Sequence, residues 1–430
     1  MQTPAGGRAA ISVSLAVALA ATIVTLAAGA ALKAPCASGY WNDGRQYRLL
    51  CYSDIVPLYG TEHLQGNRIP YVDACPADST CDEYPVLTMY FMRATAWVAR
   101  AFSDSFTAFF VVNALALAGL ALSVTWALYE MVGARALYFA LAPTLAIYAF
   151  MNWDLLTVAL ATFGTLAYLR RRDGTSGWLL GLGAAAKAYP ALLVVPFATG
   201  RVGESRTRDA GRLVLYAAGA WAVVNLPFAL GWSHSWLTFF RFNAARGADW
   251  DSLWFAACQR IEGGQSCSWS PRLLNLVSLA LFLALAFGVW WWRRSIRPGF
   301  AAWTFGFPVI ALFLLTDKVY SPQYGLWLLP WFALALPSLP LFVAFEAADV
   351  AVFVTRFSWF GRLSHDLGQS EFAGYHGAPL GAFEIAIVVR AVVLVICVVA
   401  WVLRDDGPLP AMAADVPGAE ARDAAARRAA

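Results

Sequence analysis

Charge is what this sequence lacks most. Only 13% of its 430 residues are Asp, Glu, Lys or Arg, while 60% are apolar. Soluble domains carry about a quarter charged residues. An ordinary soluble enzyme, a disordered chain and a small disulfide-built domain are excluded on that ground. The formal charge is 31 − 27 = +4, with no basic block of the size that nucleic-acid binding requires. No glycine-rich nucleotide loop occurs. No Cys-x-x-Cys occurs either, and no histidine lies near Cys75 or Cys81, which disfavours a zinc site. What remains is an all-α polytopic membrane protein.

A spanning helix needs about 20 mostly apolar residues. Ile11–Leu32 is the first candidate, longer than a signal-peptide core and read as an uncleaved anchor, with cleavage near the small residues Ala28–Ala31 as the alternative. Further spans are expected at Phe106–Tyr129, Ala136–Phe150, Trp153–Leu169, Leu213–Trp232, Leu273–Trp292, Phe300–Leu315, Tyr324–Leu336, Leu341–Phe360 and Ala382–Leu403, about ten in all. Residues 1–403 form one membrane domain, and 404–430 a disordered cytoplasmic tail rich in Ala, Pro, Asp and Arg.

Two segments do not read as simple crossings. Ser176–Thr199 starts and ends beside arginine clusters and contains Lys187 and Pro190. It is expected to form a re-entrant pair of short helices, broken at Lys187-Ala188-Tyr189-Pro190. Tyr84–Phe102 carries Arg93 and Arg100 on one helical face and suits an interfacial helix.

Arg170–Arg172, Arg201, Arg206, Arg208, Arg212, Arg293, Arg294 and Arg297 lie in short connections, which the positive-inside rule makes cytoplasmic. The exterior, periplasmic face then receives the loop 33–105 and most of the unusual polar residues. Cys36, Cys51, Cys75, Cys81, Cys258 and Cys267 all fall in exterior loops; only Cys397 lies in a span. An oxidising compartment fits, and local pairing favours Cys36–Cys51, Cys75–Cys81 and Cys258–Cys267.

Chemistry is therefore sought outside. Asp54, bordered by apolar and aromatic residues, could have its pKa raised towards that of a working base; the plainer alternative is a helix cap or a solvated acid. Asp43 and Glu62 carry the same two readings. Glu83-Tyr84-Pro85 is either a helix start or a binding element. Asn152-Trp153-Asp154 sits where one span ends and another begins. Lys187, inside an apolar segment, is a functional candidate or a lysine paired with Asp154. Lys318 could hold a phosphate as a point charge, with Ser321, Gln323 and Tyr324 available to hydroxyl groups. Asp249, Asp251 and Trp254 could line a sugar site or be solvated.

The set Tyr52-Ser53-Asp54-Ile55, Glu83-Tyr84-Pro85-Val86-Leu87-Thr88, Asn152-Trp153-Asp154-Leu155-Leu156, Gly181 through Pro190, and Lys318 through Tyr324 resembles the GT-C superfamily of membrane glycosyltransferases. It is similar, more closely, to glycosyltransferase family 87, the actinobacterial enzymes that use polyprenyl-phosphate-mannose. The resemblance implies a GT-C-like bundle with interfacial helices in the first exterior loop. It implies a catalytic aspartate at Asp54, and substrate-binding roles for Glu83, Asn152, Asp154, Lys187, Tyr189, Lys318, Ser321, Gln323 and Tyr324. It implies a polyprenyl-phosphate-sugar donor, a glycolipid or glycan acceptor and inversion at the anomeric carbon; no metal or other cofactor is expected. Some relatives place a histidine in a late exterior loop, where this chain has Lys318 and Tyr320.

Phosphate is a good leaving group that needs charge stabilisation more than a proton, a task for Lys187 or Lys318. The acceptor hydroxyl needs a base on the opposite face of the sugar. Membrane lipids are the remaining partner. The competing readings are a lipid or sugar transporter or flippase, which a broken hairpin with an intramembrane lysine also suits, and a non-catalytic assembly subunit.

Overall fold

The computed structural model describes residues 13–76, 79–263, 267–366 and 375–405. The start of the first expected span at Ile11, and the expected tail from residue 406 on, lie outside the described residues. Among the described residues the regular elements are all helical. In chain order they are α1 (Leu15–Lys33), α2 (Arg45–Arg48), α3 (Ile55–Thr61), α4 (Val86–Arg100), α5 (Phe106–Val132), α6 (Leu137–Ala140), α7 (Pro143–Tyr148), α8 (Asp154–Leu169) and α9 (Asp173–Ala186). There follow α10 (Pro190–Gly203), α11 (Thr207–Gly231), α12 (Ser233–Ala245), α13 (Leu253–Glu262), α14 (Pro271–Ile296), α15 (Gly306–Thr316), α16 (Leu329–Leu334), α17 (Leu339–Asp366) and α18 (Leu380–Leu403).

Five stretches are long and apolar enough to cross a membrane: Leu15–Cys36, Phe106–Ala140, Thr207–Gly231, Pro271–Ile296 and Leu380–Leu403. Asp154–Leu169, Pro190–Gly203 and Ala302–Thr316 are apolar but shorter. Two of the expected spans are not continuous helices. Ala136–Phe150 divides into α6 and α7 ahead of Pro143, which has no N–H to continue the ladder. Tyr324–Leu336 starts as a 3-10 turn, Pro322–Trp327, and continues as α16 with Pro330 in its first turn. From Gly325 to Leu336 it is buried throughout. Irregular backbone is tolerated at membrane depth when protein surrounds it, so this segment is a core element.

The expected break in Ser176–Thr199 is present: α9 ends at Ala186, and α10 begins at Pro190. Its position is set by close packing. α9 lies between α8 and α11, and a Cβ at Gly177 or Gly181 would collide with the backbone carbonyls of Leu213 or Ala217 on α11. Two glycines four residues apart let the helix axes approach, as small residues do in membrane bundles. Thr88 Oγ1 of α4 then donates to Ala186 O at 2.7 Å, fixing the end of α9 against the first loop.

That loop is a folded unit. Disulfides join Cys36 to Cys51 and Cys75 to Cys81, and a third joins Cys258 to Cys267. These are the three local pairings expected from spacing. Glu262 lies within ligand distance of the last pair, but the bridge leaves no thiolate for a metal. The arginine face of α4 has a use that the sequence did not reveal. Arg93 Nη1 donates to Arg68 O at 2.8 Å, and Arg100 Nη1 donates to Leu64 O at 2.6 Å, stapling residues 64–68 onto the helix. Trp97 on the outer side of the helix is 70% exposed, and Phe102 just past its end is 82% exposed, which suits an interfacial position.

Candidate active site

Asp54 directly precedes α3. Its backbone N–H donates to Met151 O at 2.8 Å, and the neighbouring Ser53 Oγ donates to Phe150 O at 2.7 Å. The first loop is thereby tied to the chain entering α8. The Asp54 side chain makes no cap bond to α3, which removes the helix-cap reading. Oδ1 accepts from the Tyr52 hydroxyl at 2.8 Å, and Oδ2 accepts from Asn152 Nδ2 at 2.8 Å. Asn152 is held in turn: its Oδ1 accepts from Trp153 N at 2.6 Å, and its Nδ2 also donates to the Tyr84 hydroxyl at 2.7 Å. Burial pushes the Asp54 carboxyl above the ordinary carboxylate value. The bonds from Tyr52 and Asn152, and the charges of Arg356 and Lys187, pull against that rise.

Asp54 opens onto a cavity of about 1330 Å³. Of the residues expected at a site, Glu83, Lys187, Tyr189, Lys318, Ser321, Gln323 and Tyr324 also line it. Asn152 and Asp154 stand behind the wall, both 1% exposed. Asp154 Oδ2 meets Lys187 Nζ at 2.9 Å, and Oδ1 accepts from Trp327 Nε1 at 2.7 Å. Lys187 thus has the Asp154 partner foreseen for it, and it also reaches the cavity, its ammonium 4.5 Å from the Tyr324 ring centroid. Trp327 is sandwiched between Tyr189 and Tyr324, with centroids 4.4 and 4.0 Å away. The helix break therefore presents one cation, held by a carboxylate and flanked by stacked rings, beside the N-terminus of α10. A helix N-terminus and a lysine together favour an anion.

Lys318 is differently placed. Its ammonium donates to Ala244 O at 3.3 Å and to Arg246 O, at the C-terminal end of α12. Burial lowers its pKa. The lysine secures Arg246, which lines the cavity and pairs with Asp249 at 3.3 Å. Glu83 also lines the cavity, its carboxyl raised chiefly by burial. Its backbone N–H donates to Glu62 Oε1 at 3.3 Å.

Asp249 also lines the cavity, whereas the remaining candidate carboxylates lie elsewhere. Asp43 is half-exposed and pairs with Arg45 at 2.9 Å. Glu62 is buried; it accepts from Asp82 N at 2.8 Å and is pushed up by burial to about 7. Trp254 donates to Thr316 O at 2.8 Å, and Trp250 is the tryptophan of that segment that lines the cavity. Asp251 is buried behind Arg356, at 2.8 Å from its Nη1.

Sequence reasoning did not single out Arg246, Arg356 or Trp327. Arg356 carried a usable signal, because it is an ionisable residue inside an expected span. Arg246 and Trp327 carried none beyond their residue type.

Chemically, the cavity offers the carboxylates of Asp54, Glu83, Asp249 and Asp317, of which Asp54 has both oxygens held by side-chain donors, together with cations from separate elements and flat aromatic walls. Such a constellation can take a proton from a hydroxyl and hold a leaving anion. No curated protein matches the chain. The family model for glycosyltransferase family 87 matches residues 83–317, a stretch that begins downstream of Asp54 and contains Glu83, Asn152, Asp154, Lys187 and Tyr189. That match covers more than half of this helical membrane chain, and the chain belongs to glycosyltransferase family 87.

Proposed function

We propose that this glycosyltransferase moves mannose from a polyprenyl-phosphate-mannose donor to a cell-envelope glycolipid or glycan, with inversion, on the exterior face of the cell membrane. The observation that carries the reading is Asp54: a carboxylate at the cavity, unused as a cap, oriented through both oxygens by Tyr52 and Asn152. In the reaction, Asp54 takes the proton of the acceptor hydroxyl. The hydroxyl oxygen forms its bond to the anomeric carbon as the bond from that carbon to the phosphate oxygen breaks. The electron pair stays on the polyprenyl phosphate, beside Lys187 and the N-terminus of α10. One base and in-line attack convert a β-linked donor into an α-linked product.

Sidedness is supported by the disulfides. The Cys36–Cys51 and Cys75–Cys81 bridges lie in the loop that bears Asp54 and Glu83, and Cys258–Cys267 lies in the connection that follows Arg246. Bridged cysteines belong to oxidising compartments. A lipid donor is supported by the broken helix pair, which brings Lys187 to the cavity from within an apolar segment.

The test uses purified protein, labelled polyprenyl-phosphate-mannose and a membrane glycolipid fraction. Transfer of label from the lipid donor, and none from a nucleotide sugar, is the expected result. Movement of the intact lipid donor across a vesicle membrane, with no transfer, would favour a flippase instead.

A further inference from the structure

The two oxygens of Asp54 are held from two different walls of the cavity. Oδ2 is held by Asn152, two residues before the Asp154 that pairs with Lys187, the side assigned above to the phosphate. Oδ1 is held by Tyr52, which belongs to a different wall. The Tyr52 ring stacks on Phe357 at 5.1 Å, and Trp41 tilts against Tyr52 at 5.6 Å. The Arg356 guanidinium lies 5.6 Å from the Phe357 centroid and 5.0 Å from that of Phe360, and Trp250 meets Phe360 edge-on at 5.5 Å. Trp41, Tyr52, Trp250, Arg356 and Phe357 all line the cavity.

The chemistry of this second wall differs from that of the first. Arg356 is in mid-helix on α17 and is fixed by Asp251, whose side chain is fully buried, at 2.8 Å. A guanidinium pinned by a carboxylate and laid on aromatic rings is a rigid fork of N–H donors. Ring faces carry negative charge density, which attracts the C–H groups of a pyranose, while a fork of donors suits its neighbouring hydroxyls. A base must touch the attacking hydroxyl on the side remote from the leaving group. We propose that the Trp41–Tyr52–Phe357 wall, with Trp250 and Arg356, is the site of the acceptor's terminal sugar, and that Arg356 is a specificity-determining residue for it. This inference rests on the transferase reading above. It assigns to a glycan acceptor the wall that is reached by contact from Asp54 Oδ1 and leaves the Lys187 wall to the donor.

Arg356→Met would leave Asp251 buried without its partner and risks misfolding. Arg356→Lys keeps the charge and loses the fork, and Trp41→Ala removes one half-buried ring. The experiment uses the full-length chain, polyprenyl-phosphate-mannose as donor, and octyl mannoside, octyl glucoside and octyl galactoside as acceptor probes. The slow hydrolysis of donor without acceptor is measured separately. Each variant should raise the KM for the preferred octyl glycoside about tenfold, the worth of one good hydrogen bond for Arg356→Lys and of one ring contact for Trp41→Ala. Donor KM should stay within about twofold of wild type. A rise in donor KM with acceptor KM unchanged would overturn the assignment, as would hydrolysis of donor with transfer to none of the three glycosides. If the wild-type chain neither transfers nor hydrolyses the donor, the transferase reading fails first and the acceptor site with it, in an arm that contains no variant.

Discussion

Replacing Asp54 with asparagine removes the charge on the proposed base and almost nothing else. The carboxylate accepts two hydrogen bonds, from Tyr52 and from Asn152, each at 2.8 Å. Asn152 cannot turn to accommodate an amide, because its Oδ1 is engaged by Trp153 N at 2.6 Å. The new side chain must therefore offer its oxygen to Asn152 and its NH₂ to the Tyr52 oxygen, which can accept. Both contacts survive with one direction reversed. The weakening of two charge-assisted bonds is offset by no longer keeping an ion in a buried position, so stability should change by no more than about 1 kcal/mol. Loss of general-base catalysis costs roughly 10²–10⁴ in rate, or about 2.7–5.4 kcal/mol of transition-state stabilisation. The assay is single-turnover transfer at saturating donor, with donor binding followed separately. Asp54→Asn should bind donor normally and transfer at least a hundredfold more slowly, by the lower end of that range. Near-normal turnover in folded protein would refute the assignment of Asp54.

Other outcomes follow from the same geometry. Lys187→Met should weaken donor binding, because it removes the cation at the helix break and leaves Asp154, 1% exposed, with only Trp327; unchanged donor affinity measured by titration would count against a phosphate at that wall. The pH–rate profile should have an acid limb above the ordinary carboxylate value of 3.8, because burial raises Asp54 and the base works only when ionised. The sign excludes unfolding through this group: a raised native pKa gives stability that is complete below the ordinary value and lost as pH rises through the raised one. The limb should vanish in Asp54→Asn. A cysteine at Ser205, exposed between α10 and α11, should resist an impermeant thiol reagent in intact cells, whereas one at Ser364 should label; labelling of Ser205 would reverse the sidedness.

The sequence exposed those parts of the molecule whose signals are local. Apolar length marked α1, α5, α11, α14 and α18, and cysteine spacing marked all three bridges. Pro190 and Lys187 marked the break between α9 and α10. What stayed hidden depends on long-range packing. An apolar run reads alike whether lipid or protein surrounds it, so Tyr324–Leu336 looked like a span although it is a buried core element. Arg93 and Arg100 looked like a membrane-surface face, whereas their forks hold loop carbonyls some 30 residues earlier in the chain. Lys318 was visible as a cation, but its attachment to the end of α12 was not. Arg356 was visible as an ionisable residue inside an expected span, but its partner Asp251, more than a hundred residues earlier in the turn before α13, was not. In each case residue type and spacing identify a capacity, and the fold decides what it meets.

The central claim is most directly tested by the stereochemistry of a single turnover. Purified wild-type protein would be given β-linked polyprenyl-phosphate-mannose carrying ¹³C at the anomeric carbon, together with a glycolipid acceptor, and the anomeric one-bond coupling of the product read by NMR. A product that is wholly α-linked, and absent with Asp54→Asn, is what one base and in-line displacement predict. A β-linked product would require two displacements and a covalent intermediate, and would contradict the account.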